Sequence, residues 1–392
     1  MEILYIASSE FPGNNAYSTR IYGICSSLIH TGNNVTVLTD YSSVDDVLEQ
    51  YNGINIIACT NVKFSNRTLF HKVYDYLYQT GRMVRVLGDI LTKRSFDCVI
   101  MSSMFERAEK IISLLKEKKI PIILESCEWF EEYNWSFGKW NPKYKKYVYA
   151  WENIFTKVDG VIAISRLLEK HYSKYVNNVI RIPTIMEIDE NIDFEVRKDD
   201  KLKLIFIGSI AAGKDRLIDV IESLIVMKRN NIEIHIYGPS KNDVRKQLGN
   251  SVKFDNIIDK QIFIYGRVPH REINSACKNC DMGIILRPDR KQSHAGFPTK
   301  LAEYMAAGIP VLVNDTGDIC LYVNNGINGY VLPTRFSNSD IISLLETILK
   351  NNMQKNIELR KNSYFTAKDK FNYLQYSEIL QDFLTNVIKQ HL

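Results

Sequence analysis

The sequence predicts neither a membrane-spanning helix nor a signal peptide. No apolar run approaches the roughly 20 residues of a membrane-spanning helix. The start, Met1–Ala7, carries an acidic residue and only a short apolar run, which is not typical of a signal peptide. Repeats and low-complexity segments are also missing. We therefore expect globular domains, and any membrane contact is expected to be peripheral.

Sequence patterns for metal binding are equally scarce. Asp-x-Asp does not occur, which disfavours a diphosphate site bridged by a metal ion. Cys277 and Cys280 form a single C-x-x-C, and neither a second pair nor suitably spaced histidines complete a zinc site, so we expect core thiols. The seven cysteines are odd in number and scattered, which favours reduced thiols in a cytosolic protein over a disulfide framework.

Charge of both signs is nearly balanced. The net charge of +5 is too weak to indicate a nucleic-acid partner. Two stretches, His71–Arg94 and Trp135–Trp151, nevertheless interleave basic and aromatic residues. The pattern suits anionic lipid headgroups and also single-stranded nucleic acid, which nothing else in the sequence supports. A core face with solvated lysines gives the same pattern. Peripheral contact with an anionic membrane is therefore one hypothesis, and we expect no nucleic acid.

Short apolar runs alternate with helical patterns along the chain, which predicts parallel α/β layers. The predicted strands are Ile3–Ser8, Val35–Thr39, Ile54–Ala58, Cys98–Met101, Pro121–Glu125, Val161–Ile164, Leu202–Ile207, Ile232–Tyr237, Ile262–Tyr265, Met282–Leu286 and Val311–Val313. Between Pro183 and Asp200 the periodicity is lost and charge rises, which indicates a linker. We predict two doubly wound domains, residues 1–185 and 201–370, joined by the linker 186–200. In such folds ligands bind beyond the carboxyl ends of the strands.

The stretch Gly296–Val313 predicts a loop, a short helix, a sharp stop and a buried strand. Pro298 suits the first helical turn, with Thr299 as an alternative cap, and Gly308 followed by Pro310 ends the helix. A loop that leads into a helix N-terminus presents free N–H groups to a phosphate. An ordinary loop and helix of a parallel sheet has the same pattern, so these residues alone leave both interpretations open.

Five stretches, taken in order, resemble the GT-B-fold retaining glycosyltransferases of the family 4 type (glycosyl transferases group 1), which use nucleotide-sugar donors. They are Phe11–Ala16 with Gly32–Val37, Ile205–Ser209 with Gly213 and Lys214, Ile264–Val268, Gly296–Val311, and Phe371–Leu384. The resemblance implies two Rossmann-like domains facing a central cleft. It also implies that residues 371–392 return as a helix to the first, acceptor-side domain, and that the second domain binds the nucleotide-sugar.

The resemblance also implies roles for single residues. Glu303 is expected to accept hydrogen bonds from the ribose hydroxyls, and Lys214 and Lys300 to stabilise the departing diphosphate. The other donor-binding candidates are Gly13, Gly208, Ser209, Arg267, His294, Ala295, Gly296, Phe297, Pro298 and Thr299. On the acceptor side the candidates are Glu125 and Glu128, just past a predicted strand end. Plain surface charges are the alternative for each charged candidate.

Two positions depart from the family pattern, because Ala295 stands where the first motif glutamate is expected and Ser209 where an arginine is usual. The predicted function is metal-independent transfer of a sugar, from a UDP- or GDP-linked donor, to a glycan or lipid-linked acceptor. We expect no cofactor, a role in surface polysaccharide biosynthesis, and a location in the cytoplasm or at the inner face of the cell membrane. A nucleotide-sugar epimerase of the same fold and a catalytically silent binding protein are the alternatives.

Overall fold

The computed structural model describes residues 1–7, 10–13, 15–41, 50–60, 68–190, 192, 194, 201–210, 213–249 and 252–391. The chain divides into two compact units. Unit 1 comprises Met1–Glu187 together with Asn372–Leu392, and unit 2 comprises Ile188–Phe371. Each unit is built around its own parallel sheet, so the predicted α/β class is confirmed.

Unit 1 contains an eight-stranded sheet over the described residues. Its strands are β1 (Glu2–Ile6), β2 (Asn34–Thr39), β3 (Gln50–Tyr51), β4 (Ile54–Ala58), β5 (Cys98–Ser102), β6 (Ile122–Ser126), β7 (Gly160–Ala163) and β8 (Val179–Arg181). They lie in the order β3-β4-β2-β1-β5-β6-β7-β8, and every neighbouring pair is parallel except β3 with β4. Strands β5, β6 and β7 are buried along their whole length, as parallel strands covered on both faces are.

Unit 2 contains a six-stranded sheet in which every neighbouring pair is parallel. Its strands are β9 (Leu202–Ile207), β10 (Ile232–Tyr237), β11 (Ile262–Gly266), β12 (Met282–Ile285), β13 (Val311–Asn314) and β14 (Gly329–Leu332). The order is β11-β10-β9-β12-β13-β14, so the chain reverses direction across the sheet beside β9. The carboxyl ends of the strands next to such a reversal are the usual ligand site of this architecture.

The helices over the described residues complete both units. They are α1 (Ala16–His30), α2 (Leu69–Lys93), α3 (Ala108–Glu117), α4 (Pro142–Tyr149), α5 (Arg166–Tyr172), α6 (Leu217–Met227), α7 (Lys241–Leu248), α8 (Val252–Ile257), α9 (His270–Lys278), α10 (Lys291–Ala295), α11 (Thr299–Ala306), α12 (Asn338–Ile348), α13 (Met353–Lys370) and α14 (Ser377–His391). None of them combines the length and the apolarity that crossing a bilayer requires. The last helix, α14, belongs to unit 1, where Gln381 Oε1 accepts a hydrogen bond from Asn33 Nδ2 at 2.6 Å.

Local sequence signals explain where several helices begin and end. Helix α1 begins after Asn15, whose side chain accepts the backbone N–H of Ser18 at 2.9 Å. Helix α7 begins with a capping box between Ser240 and Asp243. Gly308 follows α11 at a φ of +67°, so the predicted glycine stop is confirmed.

The structure also corrects parts of the sequence prediction. The sequence pattern around 143–156 predicts one helix, whereas the structure has three elements there: α4, a π-helical turn over Ala150–Ile154 and a 3-10 turn over Phe155–Lys157. Strands β3, β8 and β14 were not predicted. Unit 1 extends two residues beyond the predicted boundary at 185. Within the predicted linker, residues 191, 193 and 195–200 lie outside the described residues.

Candidate functional site

Three neighbouring strands of unit 2 end in glycines at one edge of the sheet. Gly208 follows β9, Gly238 follows β10, and Gly266 ends β11. The backbone N–H of Gly208 donates to Tyr237 O at 2.9 Å, and that of Gly238 donates to Gly266 O at 2.7 Å. A Cβ on Gly238 would lie 1.9 Å from Gly208 O, so a side chain cannot be accommodated there. Glycine at 238 therefore allows the ends of β9 and β10 to approach each other closely.

Lys300 brings a positive charge to this edge. It is the second residue of α11, and its side chain is half-buried. A Cβ on Gly208 would lie 2.5 Å from Lys300 Nζ, which means that the ammonium occupies the space that the glycine leaves open. The same Nζ lies 5.9 Å from the centre of the Phe206 ring. The fold therefore holds one cation directly at the end of β9.

Two further cations share this region with Lys300. Burial raises the pKa of the Asp215 carboxyl, whereas Lys300, Arg287 and Lys214 each oppose the rise, which requires all three to be near it. Lys214 is exposed, just ahead of α6. Three cations and one carboxylate leave an excess of two positive charges in this group, which suits a doubly charged anion.

Arg287 and Asp215 are site residues that the sequence did not single out. Arg287 lies two residues past the end of β12, and its Nη1 donates to Ser293 O at 2.9 Å and to Gly296 O at 3.3 Å. Its backbone N–H donates to Asn314 Oδ1 at 2.8 Å. Arg287 therefore fixes the predicted loop before α11 as well as adding charge. Its place just after a buried strand was the available signal.

His294 is tied into a network at both ring nitrogens. Gly317 N–H donates to Nδ1 at 3.0 Å, so Nε2 carries the hydrogen that is donated to Asp289 Oδ1 at 2.8 Å. Hydrogen bonds from His294 and Arg335 hold the pKa of Asp289 below its usual value. The predicted donor-binding histidine thus links two loops of unit 2 through its ring.

Glu303 lies one turn into α11 with a half-buried side chain. Burial, the thiol of Cys280 and the charge of Glu303 together raise the pKa of Cys277 to about 12. The next residue, Tyr304, holds the helix in place, because its hydroxyl accepts the backbone N–H of Ile207 at 2.9 Å. This contact needs Gly283, where a Cβ would lie 2.5 Å from the Tyr304 ring. This anchor was not predicted from the sequence.

The loop ahead of α11 contributes backbone more than side chains. Ala295 is fully buried, so a larger acidic residue there would be desolvated. Phe297 is buried too, with its ring 5.8 Å from that of Phe371. Pro298 is the N-cap residue of α11 and Thr299 is the first residue of the helix. The helix therefore begins one residue later than the prediction that places Pro298 in its first turn. Gly296 places its carbonyl toward Arg287.

The remaining donor-side candidates are exposed or locally engaged. Ser209 and Arg267 are exposed just past Gly208 and Gly266. Gly13 belongs to unit 1, and its N–H donates to Ser18 Oγ at 2.7 Å. This amide therefore stabilises the loop before α1.

Glu125 corrects one acceptor-side expectation about position. It lies inside β6 rather than past its end, and it is fully buried. Arg20 Nε donates to one carboxylate oxygen and Tyr5 Oη donates to the other at 2.5 Å. Arg20 Nη1 also donates to Pro183 O at 2.7 Å. Both oxygens of Glu125 are thus engaged in the interior of unit 1, and Cys127 Sγ lies 3.2 Å from one of them.

Glu128 has a different setting, because it lines a cavity of about 220 Å³ in unit 1. The cavity lies past the ends of β5 and β6, and its lining joins aromatic and polar side chains. They are Tyr17, Ser103, Met104, Phe105, Glu106, Arg107, Cys127, Glu128 and Phe130. Apolar walls with a few charged groups are typical of a small-molecule pocket.

The remaining sequence expectations concern the two cysteines of the C-x-x-C pattern, metal ligands and the first basic stretch. Cys277 and Cys280 are buried, and no group of three or more His, Cys, Asp or Glu among the described residues is arranged to hold a metal ion. The first basic and aromatic stretch falls on α2, where the side chains of residues 69–80 lie outside those described.

Comparisons with known proteins agree with this architecture. Residues 187–366 match the family model of glycosyl transferases group 1. Sucrose-phosphate synthase from Thermosynechococcus elongatus aligns over 99% of each chain, with a TM-score of 0.75 and 12% identity. Anabaena Alr3699/HepE in complex with UDP-glucose aligns over 98% of this chain and 100% of its own, with a TM-score of 0.69 and 14% identity.

A third similar structure is WaaG, a glycosyltransferase involved in lipopolysaccharide biosynthesis. It aligns over 97% of this chain and 99% of its own, with a TM-score of 0.66 and 14% identity. No curated protein matches the chain in sequence. The chain therefore carries a glycosyl transferases group 1 domain and has the GT-B glycosyltransferase fold.

Proposed function

We propose that the protein transfers a sugar from a nucleoside-diphosphate sugar to a glycan or lipid-linked acceptor, with retention of the anomeric configuration. The observation that carries the proposal is the cation group at the carboxyl edge of the unit 2 sheet. Lys214, Arg287 and Lys300 lie near Asp215, and the net excess of two positive charges balances the two negative charges of a sugar-linked diphosphate. Glycine at 208 leaves the space in which the ammonium of Lys300 lies at this edge.

The cations stabilise the leaving group in this mechanism. The bond between the anomeric carbon and the diphosphate oxygen breaks, and the acceptor oxygen bonds to the same face of that carbon. The departing nucleoside diphosphate gains negative charge and takes the proton of the acceptor hydroxyl. Lys300, held at the end of β9, meets that developing charge. Glu303 holds the ribose hydroxyls. The similarity to HepE, whose structure contains UDP-glucose, supports a UDP-linked donor, and a GDP-linked donor is the other candidate.

The acceptor side is proposed to be the cavity of unit 1. Phe105, Phe130 and Tyr17 offer apolar faces for a sugar ring, and Glu128 offers a carboxylate for its hydroxyls. The similarity to WaaG supports a role in building a surface glycan. We propose that the reaction needs no metal and no cofactor, and that it takes place in the cytoplasm at the inner face of the membrane. Turnover that survives a chelator, and does not rise on addition of divalent cations, is the expected result.

A thermal-shift screen of UDP-, GDP- and CDP-linked sugars identifies the donor, because a ligand at 100 times its Kd stabilises the folded protein by about 2.7 kcal/mol. Lys300→Met is expected to lower turnover about 10²- to 10³-fold, in line with the loss of one stabilising group at a developing charge. Lys278→Met removes an exposed lysine of α9 and serves as the matched control.

The same assay tests the proposal as a whole. Equal turnover in Lys300→Met and Lys278→Met would refute the assigned leaving-group site. Isomerised sugar from donor alone would indicate an epimerase. If no nucleotide-sugar raises the melting temperature, the chain is a binding protein without this chemistry.

A further inference from the structure

Unit 1 exposes two large aromatic rings on one short loop. Phe137 is 85% exposed and Trp140 is 81% exposed, the two highest values for large hydrophobic side chains among the described residues. Both lie between β6 and α4, in the loop that contains the 3-10 turn Gly138–Trp140. Isolated exposed aromatics are common on protein surfaces. Two of them, three residues apart in one loop and exposed to this degree, indicate a contact surface.

The backbone of the loop is strained at Phe137. Its φ of +67° and ψ of +11° lie in the left-handed region, and Gly138 follows at a φ of +52°. A bulky residue there is a genuine outlier, whereas glycine would adopt the conformation freely. Strain of this kind persists where the surrounding structure enforces it, and it concentrates at functional positions.

The surrounding structure holds the loop firmly. Trp140 N–H donates to Phe137 O at 3.1 Å, and Asn141 Nδ2 donates to Ser136 O at 2.8 Å. Asn141 Oδ1 also caps α4 by accepting Lys143 N–H at 2.8 Å. On the inner side, Trp135 packs edge-on against Phe105 at 5.7 Å. The outward rings are therefore presented by an ordered scaffold.

The sequence of this loop and of helix α4 is basic. Residues 135–149 contain four lysines and no acidic residue, in a chain whose net charge is +5. Lys145 Nζ lies 5.7 Å from the centre of the Trp140 ring, and Lys146 is exposed on the same helix. Lys139 and Lys143 make ion pairs with acidic residues outside this stretch. Aromatic rings at the level of the headgroups, with lysines beside them, are typical of binding to an anionic membrane surface.

We propose that the loop 135–141 and helix α4 dock unit 1 on an anionic phospholipid surface, with Phe137 and Trp140 inserted at the headgroup level and Lys145 and Lys146 facing the lipid phosphates. The inference deepens the proposed function, since a lipid-linked acceptor is presented at such a surface. Its residues belong to unit 1, whereas the cation group belongs to unit 2. Membrane docking can therefore be tested in the absence of any nucleotide-sugar.

The experiment is flotation of the full chain with vesicles of phosphatidylcholine that contain about one-third phosphatidylglycerol, at about 0.1 M salt. Wild type is expected to float with these vesicles and to remain unbound with phosphatidylcholine alone. Phe137→Ser and Trp140→Ser should each weaken binding about tenfold, from the apolar area that is no longer buried. Lys145→Gln with Lys146→Gln should weaken it about 30-fold at low salt. Phe365→Ser, which removes a 56% exposed aromatic of unit 2, is the matched control and should bind as wild type.

Tryptophan fluorescence gives a readout specific to the loop. Brominated lipid should quench wild-type emission on binding, and Trp140→Phe should keep vesicle binding while losing most of the quenching. Failure of wild type to bind anionic vesicles would overturn the proposal. The proposal would also be overturned if the loop variants bound vesicles as wild type does, or if their only defect were weaker binding of a soluble glycan. A thermal-shift response to nucleotide-sugars that stays intact in these variants separates this outcome from failure of the donor site.

Discussion

The buried pair of Arg20 and Glu125 offers the sharpest test of how unit 1 is built. Both side chains are almost fully buried, and the pair joins α1 to the middle of β6. Arg20 also donates to the carbonyls of Ile182 and Pro183, just past β8. Glu125→Gln leaves a buried guanidinium without its carboxylate, and Arg20→Met leaves a buried carboxylate without its cation. Breaking one side of such a pair costs about 3–5 kcal/mol.

The expected fall in melting temperature follows from the size of the unit. For a unit of roughly 200 residues, 1 kcal/mol corresponds to about 2–4 °C, so each single variant should melt about 6–20 °C lower. The double variant removes both charges together. It should therefore be more stable than the sum of the single losses predicts, by about 2 kcal/mol.

Tryptophan fluorescence is the appropriate assay, because all four tryptophans, at 129, 135, 140 and 151, lie in unit 1. The signal therefore follows unit 1 even when the two units unfold separately. Glu128→Gln is the control, since this side chain lines the cavity and is half-exposed. Its free energy of unfolding should stay within about 0.5 kcal/mol of wild type, while the KM for the acceptor rises. The reasoning is refuted if Glu125→Gln melts as wild type and only acceptor binding suffers.

Three further predictions concern other positions. In urea unfolding, Gly238→Ala should destabilise unit 2 by at least 2 kcal/mol more than Gly249→Ala. The reason is that a Cβ on Gly238 meets Gly208 O, whereas a Cβ on Gly249 meets nothing within 4 Å. Equal losses would show that the backbone at Gly208 and Gly238 is not tightly packed. The pKa of Asp215 is raised on folding, so ionisation of this carboxyl lowers stability as the pH rises from the ordinary pKa of 3.8 through the raised one. The melting temperature of Asp215→Asn, measured relative to wild type, should therefore increase between pH 4 and pH 7. A difference that does not change with pH would contradict this. Phe137→Gly should be more stable than Phe137→Ala by about 1 kcal/mol in thermal unfolding, and the reverse order would mean that residue 137 is not left-handed in solution.

Much of the fold could be predicted because buried parallel strands are continuous apolar runs. The strands β2, β4, β9 and β10 fall at or within one residue of their predicted bounds for this reason. Two of the three strands that were missed carry weaker patterns, since β3 has two residues and β8 only three. Pairing with a neighbouring strand stabilises them, and local sequence does not record that neighbour.

The same distinction applies to the residues of the candidate site. Gly208, Lys214 and Lys300 could be named because a glycine after a strand and a lysine near a helix start leave a local pattern. Arg287 has only its place after a buried strand as a local signal, and Asp215 has none. Both join the group through the topology of unit 2. Glu125 was placed on the acceptor side because the sequence shows a carboxylate near a strand end. Its partner Arg20 stands 105 residues earlier in the chain, and only the fold brings the two together.

The charge of the unit 2 site and the path of its backbone depend on each other. Three cations held close together repel, and the carboxylate of Asp215 offsets part of that repulsion before any ligand is bound. The rise in its pKa indicates that this carboxylate is itself desolvated, so the arrangement is stabilised by the fold rather than by solvent. Lys300 can reach the end of β9 only because residue 208 has no side chain. Loss of the glycine would therefore displace the cation, and loss of the cation would leave the glycine edge without its counter-charge for a diphosphate. A single substitution at either position should impair the same step, which is departure of the nucleoside diphosphate.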